Sequence, residues 1–138
     1  MSGLEARPGV LRLAPYAQGR SSLDGVSEPI KLSSNESSQG PSPLAIQAYM
    51  EAAGTLNRYP DGSQRALREA IGEMHGLDPD RIICGNGSDE LIQLMVRGYV
   101  GYGHEALLSA NGFVMSNIHC VAQGADLVIA AEKDNRVD

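Results

Sequence analysis

The stretch that most narrows the possible folds is Ile82-Ile83-Cys84-Gly85-Asn86-Gly87-Ser88-Asp89-Glu90-Leu91-Ile92, where a short apolar run gives way to two glycines and restarts with helical spacing. The pattern reads as a strand, a tight turn and a helix N-terminus. Such a turn sets backbone N–H groups at the positive end of a helix dipole, so it can bind phosphate or another anion without a cationic side chain. Many turns of this kind only connect a strand to a helix, and the rest of the chain must decide between the two.

Residues on either side supply an α/β pattern. Gly40-Pro41-Ser42-Pro43 is a helix start, with Ser42 able to cap and Pro43 at the first helical position; the helix should run to about Ala53 and end at Gly54. Leu67, Ala70, Ile71 and Met74 fall at i, i+3, i+4 and i+7, which predicts a second helix from Ser63 to the stop at Gly76. Arg81 to Cys84 is the expected strand before the turn, and Ser88 to about Val100 the helix after it. A strand over Glu105 to Ser109, a helix from Phe113 to about Gln123 and a strand over Asp126 to Ala131 complete the series. Strands alternating with helices of this length imply βαβ units and a mainly parallel sheet flanked by helices. Residues 1–30 hold Pro8, Pro15 and Pro29 without a sustained period, and read as an extended arm. Ile30-Lys31-Leu32 is a candidate short strand, and Ser33 to Ser38 a polar loop.

Charge and composition exclude several functions. A net charge of −6 with scattered Lys and Arg argues against nucleic acid or an anionic membrane surface. No apolar window approaches membrane-span length, and Glu5 and Pro8 stand where a signal peptide needs an apolar core, so a cytoplasmic location is expected. Cys84 and Cys120 lack metal-type spacing and read as reduced, buried thiols, with no metal site expected. His75, His104 and His119 share no spacing and read as surface or locally satisfied residues. Asp89 and Glu90 read as ordinary dipole complements in a first helical turn, not as a catalytic pair.

Three separated segments then resemble one family. Leu32-Ser33-Ser34-Asn35-Glu36 with Gly40-Pro41-Ser42-Pro43, Leu56-Asn57-Arg58-Tyr59-Pro60-Asp61-Gly62, and Gly85-Asn86-Gly87-Ser88-Asp89-Glu90 are similar to the opening of histidinol-phosphate aminotransferases, pyridoxal-phosphate enzymes of fold type I. The resemblance runs from about Arg12 to Asp138 and implies two parts: an N-terminal arm over 1–30, and over 31–138 the first, incomplete portion of the cofactor-binding large domain. It implies that backbone N–H groups at Ser88 and Asp89 hold the phosphate of pyridoxal 5'-phosphate. It implies that Phe113 stacks on the pyridine ring, although spacing alone makes Phe113 a core residue facing the sheet. Tyr59 matches a tyrosine that reaches the cofactor phosphate of a neighbouring subunit, and Tyr16 one that contributes to the substrate site across a homodimer. Without the family, these tyrosines would read as packing beside a turn proline and as simple docking of an arm. Asn35 and Glu36 match a pair near the active-site mouth, where Asn35 is the expected substrate contact; Ser37-Ser38 departs from the family pattern there.

The resemblance further implies reversible amino transfer between histidinol phosphate and 2-oxoglutarate, the reverse direction using imidazole acetol phosphate and glutamate, in histidine biosynthesis. Such an enzyme needs a lysine that forms a Schiff base with the cofactor. Lys31 and Lys133 are the only lysines, and neither matches that position, so the chain is expected to be a fragment without catalysis of its own. The alternatives are an aromatic amino-acid aminotransferase, a threonine-phosphate decarboxylase of the same fold, or a non-catalytic truncated product.

Overall fold

The computed structural model describes residues 3–17, 19–32 and 34–137. Met1, Ser2 and Gln18 of the expected arm, Ser33 of the polar loop and Asp138 lie outside the described residues. The chain divides into two units, one comprising Met1–Ala14 with Arg65–Asp138 and the other Pro15–Gln64.

In the first unit, strand β1 (Glu105–Ser109) pairs in parallel with β2 (Asp126–Ala130), Glu105 standing opposite Asp126 and Ser109 opposite Ala130. Helix α5 (Val114–Gln123) connects the two strands, as parallel pairing requires of a crossover. Ahead of it, α4 (Gly87–Tyr99) packs against α5. The core is the seam between these elements: Val96, Cys120 and Ala125 are buried, with Ile92, Val100, Ala106, Leu108 and Leu127 packed around them. Ile92 and Val96, four residues apart, lie on one stripe of α4, Val100 is the extended residue that caps the helix, and Ala106 and Leu108 share one face of β1. Gly124 closes α5 at φ 90°, with the Gly124 amide donating to Val121 O and that of Ala125 to Cys120 O, a Schellman motif that satisfies the last carbonyls.

The unit also holds α3 (Arg65–His75), ended by Gly76 at φ 65°. Its Arg68 Nε donates to Pro79 O at 2.8 Å and its Nη2 pairs with Asp80 at 3.2 Å, tying α3 to the short 3₁₀ turn Pro79–Arg81. Asp134 and Asn135, both in the left-handed region, make the two-residue turn of a hairpin between β3 (Glu132–Lys133) and β4 (Arg136–Val137).

In this unit three expectations change. Residues 1–30 are not extended throughout: α1 (Pro8–Leu11) forms one helical turn, and Gly9 is buried so close to α5 that a Cβ would lie 2.2 Å from Val121 O. Arg12 donates to Ala125 O at 3.3 Å, placing a cation at the C-terminal end of α5, where the helix dipole favours it. Second, Arg81 to Cys84 is not a strand. Arg81 ends the 3₁₀ turn, and Ile82 is extended at φ −104° and ψ 131°, but no strand pairs with the segment among the described residues. Extended backbone becomes a strand only when a neighbour completes its hydrogen bonds. Third, Cys84 is half-buried rather than buried; both cysteines are free.

The second unit contains α2 (Pro43–Ala52), continued by a 3₁₀ turn over Ala53–Thr55. Pro43 occupies the first helical position as expected, whereas Ser42 stands at the N-cap without a side-chain capping bond. An isolated bridge joins Leu23 and Val26, and Ile30 to Leu32 form no strand. None of the described residues of this unit is buried.

A candidate cofactor-phosphate site at a helix N-terminus

Asn86 is the N-cap of α4, with φ −77° and ψ 67°, the geometry of an inverse γ-turn; the Gly87 amide closes it by donating to Gly85 O at 2.8 Å. Gly87 then takes φ 80°, a conformation open to glycine at no steric cost. The Glu90 side chain folds back so that its Oε2 accepts from the Asn86 amide at 2.6 Å. A helix leaves its first amides without intrahelical partners. Asn86 and Gly87 have found theirs locally, and among the described residues the amides of Ser88 and Asp89 have no acceptor. Glu90 is thus a local cap and dipole complement.

The Asp89 side chain is turned to α5, where its Oδ1 lies 2.8 Å from Nε2 of His119. His119 is mostly buried, its side chain 14% exposed. The contact keeps the Asp89 carboxylate attached to α5 while its own amide stays free. His119 carried no signal in the sequence, because its partner is 30 residues away. It is six residues along α5 from Phe113, or about 9 Å of helix rise.

Phe113 is the N-cap of α5 and is 53% exposed, so it is not the core residue that spacing alone suggests. It follows a turn in which the Gly112 amide donates to Ser109 O at 3.1 Å. Around that turn the Glu132 carboxylate collects donors from the end of β1. The Ser109 hydroxyl and the Asn111 amide donate to Oε1, the latter at 3.0 Å, and Asn111 Nδ2 donates to Oε2 at 2.7 Å. The bonds from the Asn111 side chain, then from its amide, hold the Glu132 carboxyl below its ordinary pKa. On the core side, burial pushes the Cys120 thiol up.

Ser88, Asp89 and Phe113 therefore occupy one unit, on two helices joined by the Asp89–His119 contact. Tyr16, Asn35 and Tyr59 belong to the other unit. Tyr16 is exposed and Tyr59 fully so. Beside Asn35, the Glu36 amide donates to Ser34 O at 2.9 Å and Lys31 Nζ pairs with Glu36 at 2.6 Å, a short loop closed by charge. After Tyr59, both oxygens of Asp61 accept from the Ser63 hydroxyl, and Oδ1 also accepts from the Ser63 amide at 2.9 Å.

Two unpartnered amides at the start of a helix are an arrangement that can bind an anion. Among solved structures, the chain matches a histidinol-phosphate aminotransferase from Sinorhizobium meliloti in complex with pyridoxal-5'-phosphate at TM-score 0.71 and 34% identity, over 75% of this chain and 28% of that one. An α-aminoadipate aminotransferase from Thermus thermophilus matches at TM-score 0.60 and 18% identity, over 68% of this chain and 25% of that one, a likeness of fold alone. The class is thus part of a fold-type I pyridoxal-phosphate aminotransferase domain, α/β with a small parallel sheet. Among curated proteins, histidinol-phosphate aminotransferases match along the whole chain: that of Rhodospirillum rubrum is 49% identical over 97% of this chain and 36% of its own length. That of a Rhodopseudomonas palustris strain is 50% identical over 100% of this chain and 38% of its own length. By sequence the chain is similar along its whole length to histidinol-phosphate aminotransferases, and it spans little more than a third of the length of these relatives. No family model matches it.

Proposed function

We propose that these 138 residues are the cofactor-phosphate-binding part of an enzyme that transfers an amino group between histidinol phosphate and 2-oxoglutarate in histidine biosynthesis. The observation that carries the reading is the pair of unpartnered amides at Ser88 and Asp89 in a chain similar along its length to aminotransferases of this name. Pyridoxal 5'-phosphate, when bound, supplies the electron sink for amino transfer. The chain's own residues then divide the work. Ser88 and Asp89 amides hold the phosphate, supported by the α4 dipole. Phe113, half-exposed at the N-cap of α5, covers the ring. His119 keeps the Asp89 carboxylate, and its charge, drawn to α5.

The remaining assignments rest on the family. Tyr59 is assigned to the cofactor phosphate of a partner subunit, and Tyr16 and Asn35 to the substrate, in a cytoplasmic homodimer. The full exposure of Tyr59 suits a residue that acts outside its own fold. The division into an arm over 1–30 and a large-domain portion over 31–138 belongs to the same reading. Lys31 is paired with Glu36, and Lys133 lies in the β3–β4 hairpin, so the lysine that anchors the cofactor comes from outside these residues.

The test is binding rather than turnover. The chain should bind pyridoxal phosphate with no transamination of its own, and Ser88→Pro, which deletes one amide where the first helical turn tolerates proline, should weaken that binding by about tenfold. Wild-type affinity in a folded Ser88→Pro chain would overturn the assignment of the amides, and turnover of histidinol phosphate by these residues alone would overturn the assignment of the lysine.

A further inference from the structure

We propose that Glu132 is a positioning residue for the cofactor ring: its carboxylate clamps the Ser109–Asn111 turn and thereby fixes the backbone that presents Phe113. The inference rests on the reading of Phe113 as the ring-stacking residue.

Phe113 is 53% exposed, so core packing does not hold its ring in place. Its direction depends on the backbone that leads into it. That backbone leaves β1 at Ser109, turns through Gly112, whose amide donates to Ser109 O, and enters α5 with the Ser116 amide bonded to Phe113 O at 3.0 Å. The only carboxylate bonded to this turn among the described residues is that of Glu132, 21 residues from Asn111 and beyond β2. Both of its oxygens are used, and the three donors are the Ser109 hydroxyl, the Asn111 amide and the Asn111 side chain. Hydrogen bonds to an ionised acceptor are about twice as strong as neutral ones, and a carboxylate that binds side chain and main chain of one residue fixes both orientation and register. The strand ends it joins are neighbours, since Ser109 pairs with Ala130, two residues before Glu132. The lowered pKa agrees with a carboxylate that stays charged in this setting.

Among the described residues no hydrogen bond joins Ser88 or Asp89 directly to this clamp, and that makes the proposal testable with two probes. Inorganic phosphate reads the cup alone, whereas pyridoxal phosphate reads cup and ring together. In the full chain, Glu132→Gln should weaken pyridoxal phosphate by about tenfold and reduce the circular dichroism induced in the bound cofactor, with phosphate affinity unchanged within about twofold. It should also speed hydrogen exchange at the Asn111 amide. Asn111→Ala, which keeps the backbone donor and the Glu132 charge, should give a smaller change of the same kind, and covers the case in which the glutamine variant folds poorly. Unchanged pyridoxal phosphate affinity and dichroism in folded variants would overturn the clamp and leave the phosphate cup intact. Equal weakening of both ligands would also overturn it, as a general loosening. If the wild-type chain binds phosphate but not pyridoxal phosphate, the cofactor reading fails and this inference with it.

Discussion

The two units bury very different amounts of themselves. The unit comprising Met1–Ala14 and Arg65–Asp138 has a core at Val96, Cys120 and Ala125, whereas no described residue between Pro15 and Gln64 is buried. The difference is not one of hydrophobic content. Helix α2 carries Leu44, Ile46, Tyr49 and Met50, all half-exposed or more, but its unit offers no sheet or second long helix to receive them. In the other unit, the β1–α5–β2 crossover creates a surface, and α4 and α1 close on it. Apolar residues make a core only where topology supplies an opposing face. The candidate phosphate cup belongs to the unit that has such a face, while Tyr16, Asn35 and Tyr59 belong to the one that lacks it.

The most direct way to break this contrast is hydrogen exchange. Amides of α5, β1 and β2 should be protected at least about a hundredfold more than those of α2, since opening a core element costs far more than fraying an unpacked helix. Equal protection would mean that the apolar face of α2 is covered in solution, for example by a second copy of the chain. In that case the burial pattern of a single copy would no longer describe the unit.

Docking of the first residues can be broken next. A Cβ at Gly9 would lie 2.2 Å from Val121 O and 3.0 Å from Ala122 O, and backbone of a helix cannot yield as a flexible side chain does. Gly9→Ala should therefore destabilise the core unit by about 2 kcal/mol, read as a lower denaturant midpoint. A neutral outcome would show that α1 adds nothing to the unit and that residues 1–30 act together as an arm.

Gly9 also shows where sequence reading stops. The elements with a strong local pattern were legible almost to the residue: Glu105 to Ser109 as β1, Phe113 to Gln123 against α5 at Val114–Gln123, and Asp126 to Ala131 against β2 at Asp126–Ala130. The turn at Gly85 to Ser88 was legible because glycine, helix spacing and first-turn acids agree over a few residues. What failed depended on partners far along the chain. Arg81 to Cys84 has strand composition but no neighbouring strand, Pro8–Leu11 is helical where it docks on α5, and Asp89–His119 and Glu132–Asn111 join residues 30 and 21 apart. No window of a dozen residues contains such information.

The smallest predicted effect lies at the edge of the core unit and concerns pH. The folded Glu132 carboxyl is held below its ordinary pKa by the Asn111 side chain and amide. A lowered folded pKa means that the unfolded chain takes up the proton first as pH falls. The clamp's contribution is thus complete well above the ordinary glutamate value of about 4.3, and it disappears as pH drops through the folded value beneath it. Wild type and Glu132→Gln should accordingly differ in unfolding midpoint near neutrality and converge in acid. Because Glu132 is only partly buried, the separation will be modest and will shrink with added salt. A gap that persists undiminished below the folded pKa would show that the glutamine itself strains the turn, and that the native bonds to Asn111 owe nothing to charge. The same titration in Gly9→Ala should leave the gap unchanged, since α1 packs on α5 and the Glu132 bonds run to Ser109 and Asn111, so the two edges of the core unit can be separated in one experiment.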